Sequence, residues 1–113
     1  MAAVLPVRQR GVCCPPAVPV EPRRLERSVR VLKAIADPAR LQILAALWAA
    51  SEPVCICDFT AALGLSQPTV SHHMARLRRA GLVGFRRRGL WAHYSLRPDL
   101  DAATQGLLRS LLG

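Results

Sequence analysis

Four cysteines fall in two pairs: Cys13-Cys14, followed by Pro15-Pro16, and Cys55 and Cys57, separated by Ile56. In a reducing compartment such thiols read as metal ligands or redox switches rather than structural disulfides. Thiolates are soft donors and select soft ions over Mg²⁺ or Ca²⁺. A lone Cys is most often a small buried hydrophobe, and Cys57 reads that way first. The Cys13-Cys14 pair stands in a polar tail and lacks a packing reason. If Ile56 lies in regular strand or helix, Cys55 and Cys57 point to different sides, so both need not serve one ion.

A second set of residues suits DNA. Ser66, Gln67, Thr69, Ser71, His72 and Arg76 are polar and closely spaced. Gln67, Thr69 and Ser71 carry amide or short hydroxyl groups that reach base edges in a major groove. Arg76, Arg78, Arg79, Arg86, Arg87 and Arg88 can meet phosphates. Each Arg taken singly reads as solvated surface, but six around one head do not. His72 and His73 suit groove-facing or turn-packing roles better than metal ligation. Trp48 and Trp91 are too few to suggest a base-stacking platform.

The elements that must position these groups follow from spacing. Residues 1–20 form a proline-rich, flexible arm, with Pro22 just beyond it, where helix is disfavoured. Residues 21–113 form the folded domain. Leu25, Val29, Leu32 and Ile35 recur at helical spacing up to about Ala36. Asp37-Pro38 starts a second helix, running to about Ala50, with Leu41, Leu44, Ala45, Leu47 and Trp48 inward. A short helix over Asp58–Leu63 turns Phe59, Ala62 and Leu63 inward. Gly64-Leu65-Ser66 is a turn, and Ser66 caps a helix over Gln67–Arg79 with Val70, Met74 and Leu77 buried. Leu82–Arg87 and Leu90–Leu96 flank Arg88-Gly89 as a hairpin. A last helix starts near Pro98 or Asp99 with Leu100, Ala103, Leu107, Leu108 and Leu111 on its apolar face. The fold class is mainly α with a small β-hairpin wing: a winged helix-turn-helix.

Composition agrees. The 113 residues allow one domain with a tail, and 51% apolar content argues against wholesale disorder. Net charge is +9, with Lys33 the single Lys among 16 basic residues, which points to an anionic partner. The longest apolar run, Ile43–Ala50, is too short to span a bilayer, and the N-terminus lacks a signal-peptide core. The expectation is a cytoplasmic protein without a membrane partner. No Gly-rich phosphate loop, paired catalytic carboxylates or Ser-His-Asp set appears, so no enzyme activity is expected.

The run Ala36-Asp37-Pro38-Ala39-Arg40-Leu41-Gln42-Ile43-Leu44 resembles the opening signature of the ArsR–SmtB family of metal-responsive bacterial repressors. So does Leu63-Gly64-Leu65-Ser66-Gln67-Pro68-Thr69-Val70-Ser71-His72-His73-Met74, followed by Leu77, Ala80-Gly81-Leu82-Val83 and Gly89. The likeness covers roughly residues 25–112. It implies a winged-helix homodimer that sits on double-stranded operator DNA and leaves when a toxic ion binds. The first and last helices then form the dimer interface, which suits the surplus leucines at Leu25, Val29, Leu32, Leu107 and Leu111.

Val54-Cys55-Ile56-Cys57-Asp58-Phe59 resembles the Cys-Val-Cys-Asp-Leu box of this family's thiol sensors. The original arsenic pattern has a third Cys three residues after the second, where this chain has Thr60. The resemblance to sensors with an adjacent arm pair implies Cys13, Cys14 and Cys55 as ligands, with Cys57 less favoured. As(III) takes three sulfurs in a pyramid, and these three residues supply them; Sb(III) is the second candidate. Cadmium and lead sensors are similar but carry spaced arm cysteines. The family's zinc sensors place Asp and His on the last helix, where this chain has Asp99 and Asp101 but no His. The rivals are a Cd(II)/Pb(II) sensor using all four Cys, a thiol redox sensor built on Cys55, and a metal carrier with no DNA role.

Overall fold

The computed structural model describes residues 21–113. Cys13, Cys14 and the rest of the expected arm lie outside the described residues.

Helix α1 spans Pro22–Ile35 and begins earlier than the apolar spacing suggested. Pro22 opens it instead of preventing it. A first-turn proline lacks an N–H that would have no helical partner, and the Glu21 carboxylate accepts from Arg23 N and Arg24 N at 3.1 and 2.8 Å. Ala34 and Ile35 are buried, while Leu25, Val29 and Leu32 remain 50%, 46% and 50% exposed. Helix α2, Pro38–Ala49, is capped by Asp37, whose carboxylate accepts from Arg40 N at 3.0 Å. That bond is the first cause holding the Asp37 carboxyl below its ordinary range. Leu44 and Leu47 face the core as expected and Leu41 and Trp48 are half-buried, but Ile43 is also buried and Ala45, expected inward, is exposed. From Ile43 to Ala50 only apolar residues occur, so the sequence offered no phase to choose by.

Strand β1, Val54–Cys55, was not foreseen, because two residues show no alternation. Helix α3 then runs Ile56–Leu63, two residues earlier than expected. Phe59 is buried and Leu63 half-buried, but Ala62 is exposed. Gly64 ends α3 with φ 65°, a left-handed conformation that glycine adopts without strain. Helix α4, Gln67–Arg79, matches the expected limits, with Val70, Met74 and Leu77 fully buried. Strands β2, Val83–Arg88, and β3, Trp91–Leu96, form the hairpin around Gly89-Leu90, with Gly89 at φ 62°.

Helix α5, Ala102–Leu112, starts later than Pro98 or Asp99. Its cap is Asp101, which accepts from Thr104 N at 2.8 Å. Asp99 is instead held by Arg97 through two bonds of 2.8 and 2.7 Å. Leu108 is buried, Leu107 half-buried, and Leu111 is 52% exposed.

The sheet order is β1-β3-β2, antiparallel throughout. Its inner face carries Val83, Phe85, Tyr94 and Leu96, which pack on the helices. Burial pushes the Tyr94 hydroxyl above its ordinary pKa. One core joins α2, α3, α4 and the root of the hairpin. Among the described residues, no helix is long and apolar enough to cross a membrane.

Candidate functional site

The candidate site is built by α3 and α4, which pack at the Gly64-Leu65-Ser66 turn. Burial of Val70, Met74 and Leu77 fixes one side of α4, so the other must face solvent. Ser66, Gln67, Thr69, Ser71, His72 and Arg76 are all exposed there. Ser66 does cap the helix: its Oγ accepts from Thr69 N at 3.3 Å and lies 2.9 Å from Thr69 Oγ1. These two hydroxyls are therefore partly engaged with each other, leaving Gln67 and Ser71 the freer groups. Arg76 Nε donates to His72 Nε2 at 3.2 Å, so these two form a ledge one turn deep.

The hairpin carries Arg86, Arg87 and Arg88, all exposed. Strand alternation puts Arg86 and Arg88 on one face and Arg87 on the other. Arg78 is not free in the same way, for its guanidinium lies 4.2 Å from the centre of the Phe85 ring. That cation–π contact ties the C-terminal end of α4 to the hairpin.

The expected thiol site divides. Cys13 and Cys14 fall outside the described residues. Cys55 and Cys57 do not point apart, as the sequence suggested. Their sulfurs lie 2.7 Å from each other. Ile56 joins neither regular strand nor mid-helix: Cys55 is the extended N-cap of α3, and Cys57 sits in its first turn. The chain bends between them, bringing both side chains to one side. Cys55 Sγ also accepts from Cys57 N at 3.4 Å, a weak thiol cap. The Cys57 thiol is held protonated above its usual range, chiefly by donating to Cys55 Sγ, then by burial and neighbouring charge. Asp58 adds to that charge.

Sequence reasoning missed where Cys55 sits in the sheet. It pairs with His93, and His93 pairs on its other side with Arg86. One row of the ladder thus runs from the cysteine to the hairpin arginines. His93 Nδ1 is buried without a hydrogen-bond partner among the described residues. The only sequence signal for this row was a β-prone Val54 before the Cys.

Helices α3 and α4 joined by the Gly64 turn, with α2 before them and a basic hairpin after, make a winged helix-turn-helix in which α4 is the second helix of the motif. The family described as bacterial regulatory protein, arsR family, matches residues 37–84, which span α2 through the start of β2. The chain is 38% identical over 82 residues to arsenic resistance transcriptional regulator ArsR1 of Pseudomonas putida, covering 73% of this chain and 63% of that one. It is 34% identical to ArsR2 of the same organism, covering 73% of this chain and 70% of the relative. The chain thus spans just under two thirds of ArsR1's length. The homodimeric winged helix-turn-helix DNA-binding domain Mb0332 from Mycobacterium bovis superposes with a TM-score of 0.66 at 29% identity, covering 80% of this chain and 79% of that one. The chain belongs to the bacterial arsR family of regulatory proteins.

Alanine in place of Gln67 or Ser71 is expected to weaken binding to a specific operator by roughly 1–3 kcal/mol each, the worth of a lost base contact. Arg87→Ala should weaken all duplexes alike and lower the salt slope by about 1. Fluorescence anisotropy over a salt series separates the two behaviours. Unchanged affinity in all three folded variants contradicts the reading-face assignment.

Proposed function

We propose that the chain is a metalloid-responsive transcriptional repressor that binds double-stranded operator DNA as a homodimer. It leaves the operator on binding As(III), with Sb(III) the second candidate, through Cys13, Cys14 and Cys55. The observation that carries this reading is the position of Cys55: it caps the helix that packs on α4 and ends the strand that pairs behind the wing. Names of relatives add support, since ArsR1 and ArsR2 are arsenic resistance regulators and Mb0332 is homodimeric.

The donors suit the ion. Cys55 and Cys57 offer soft sulfurs on one side of the α3 terminus. Among the described residues, no three His, Cys, Asp or Glu side chains converge on one point. A three-sulfur site therefore draws at least one donor from elsewhere, and Cys13 and Cys14 are the chain's other thiols. Binding would displace thiol protons and pull on Cys55, disturbing the α3 cap and the β1–β3 pairing together. Ion and DNA then oppose each other reciprocally: each weakens the other by the same factor.

The 2.7 Å contact between Cys55 and Cys57 sulfurs favours a second reading, a thiol redox repressor. A peroxide would take two electrons and two protons from the pair to form a disulfide. One release assay tests both: the protein–operator complex is challenged in parallel with As(III), Sb(III), Cd(II), Pb(II), Zn(II) and peroxide. Release by As(III) at the lowest dose supports the first reading. Release by peroxide but not As(III) replaces it with the second.

A further inference from the structure

We propose that Arg40 and His73 are positioning residues: together they lock the reading helix to α1 and so set the spacing of the two reading heads. The proposal rests on the dimeric DNA-binding reading above, and deepens it. Arg40 Nε donates to Ala34 O, and its Nη2 lies 3.4 Å from Lys33 O, so the guanidinium covers the C-terminal carbonyls of α1. Its Nη1 lies 3.2 Å from His73 Nδ1 on α4. Asp37 accepts the Arg40 backbone N–H at 3.0 Å, which fixes the residue from behind. One side chain of α2 thereby joins three helices.

Arginine only donates, so a hydrogen bond from Arg40 Nη1 uses the His73 tautomer with a bare Nδ1. Asp37 Oδ2 lies 3.9 Å from the same Nδ1. The positive guanidinium at the end of α1 also meets the negative pole of that helix. A lysine has a single nitrogen and cannot reach the α1 carbonyls and His73 together.

The arrangement matters because the remaining hold on α4 is mostly apolar. Val70, Met74 and Leu77 resist withdrawal of the helix but not a small slide or twist, since apolar contact is not directional. His73 is only 15% exposed and lies beside His72, yet faces inward rather than to the groove. Helix α1 carries the exposed Leu25, Val29 and Leu32. If these meet a second copy, a slip of α4 against α1 is doubled by the two-fold axis.

The variants are His73→Leu, His73→Asn and Arg40→Lys, alone and with Arg40→Lys combined with His73→Leu. The probes are a palindromic duplex selected by the parent from random sequence, the same duplex lengthened at its centre by one base pair, and a scrambled duplex. Breaking this charge-assisted bond should cost about tenfold or more on the selected duplex in His73→Leu and Arg40→Lys. The scrambled duplex should bind as before, and the preference for the original spacing should flatten. His73→Asn offers an amide oxygen to Arg40 and should recover most of the loss. The double variant should be no worse than the worse single one. Equal losses on selected and scrambled DNA, additive losses in the double, or no rescue by Asn would overturn the proposal.

An arm without DNA keeps this separate from the repressor reading. Amide exchange over residues 33–37 should quicken in His73→Leu and not in His73→Asn. A parent that selects no sequence refutes the DNA reading, whereas unchanged exchange in His73→Leu refutes the lock.

Discussion

As(III) added to the operator complex of a Cys55→Ser variant is expected to leave that complex intact. Serine nearly matches cysteine in size but is a far poorer soft-ion donor, so the fold and the DNA affinity should survive. Loss of a group that merely orients a ligand costs 10–100-fold in affinity, so loss of a ligand itself should raise the required As(III) by more than about 100-fold. Cys13→Ser and Cys14→Ser should respond weakly, two thiolates remaining in each. Cys57→Ser decides the ligand set: parent-like release marks Cys13, Cys14 and Cys55, while loss of release brings Cys57 into the site, as its contact with Cys55 permits. A Cys13→Ser/Cys14→Ser chain mixed with a Cys55→Ser chain regains one complete site if the ligands come from different subunits, and none otherwise. Full release by that double variant alone would falsify the arm's role.

Val29→Asp or Leu111→Asp should turn the proposed dimer into monomers. Val29 and Leu111 are 46% and 52% exposed in the single chain, so a charge there costs the isolated fold little. Leu107 is a less clean site, because it packs partly on the chain's own core. In a two-fold seam each substitution acts twice. An unpaired buried charge costs about 3–5 kcal/mol, so dissociation should rise by roughly two to four orders of magnitude or more. Specific DNA binding should fall with it, since two reading helices about 34 Å apart need both subunits. Sedimentation of the metal-free protein checks the first effect and anisotropy the second. A native-affinity monomer would refute the seam.

The parts of the fold that were legible in the sequence are those with a long period or sharp ends. Helix α4 was visible from Ser66 to Arg79 because a cap, an i, i+4, i+7 apolar set and a polar face agree. The hairpin was visible because Gly89 marks its turn, though the turn is Gly89-Leu90 rather than Arg88-Gly89 and Leu90 lies outside the second strand. Helix α2 was visible in extent but not in phase, as its apolar residues surround it. The limits of α1 and α5 were misread where competing local bonds decided them: Glu21 rescued Pro22, and Arg97 removed Asp99 from capping. The thiol geometry was misread for another reason. Cys55 lies at a junction between strand and helix, where neither period applies, so Cys57 turned back towards it. Likewise, the pairing of Cys55 with His93 joins residues far apart in sequence, and no local pattern announces such a contact.

Strand β1 is only two residues long and sits at the sheet's edge. An edge held by so few ladder bonds opens locally for much less free energy than global unfolding. The β1 edge, Val54–Cys55, should therefore open more readily than α2 or α4, which places Cys55 where rearrangement is cheap. A ligand gripping them need supply only the small difference between the shut and open edge to shift the population. Sensitivity would then be set by the looseness of this edge as much as by the strength of the ion–sulfur bonds.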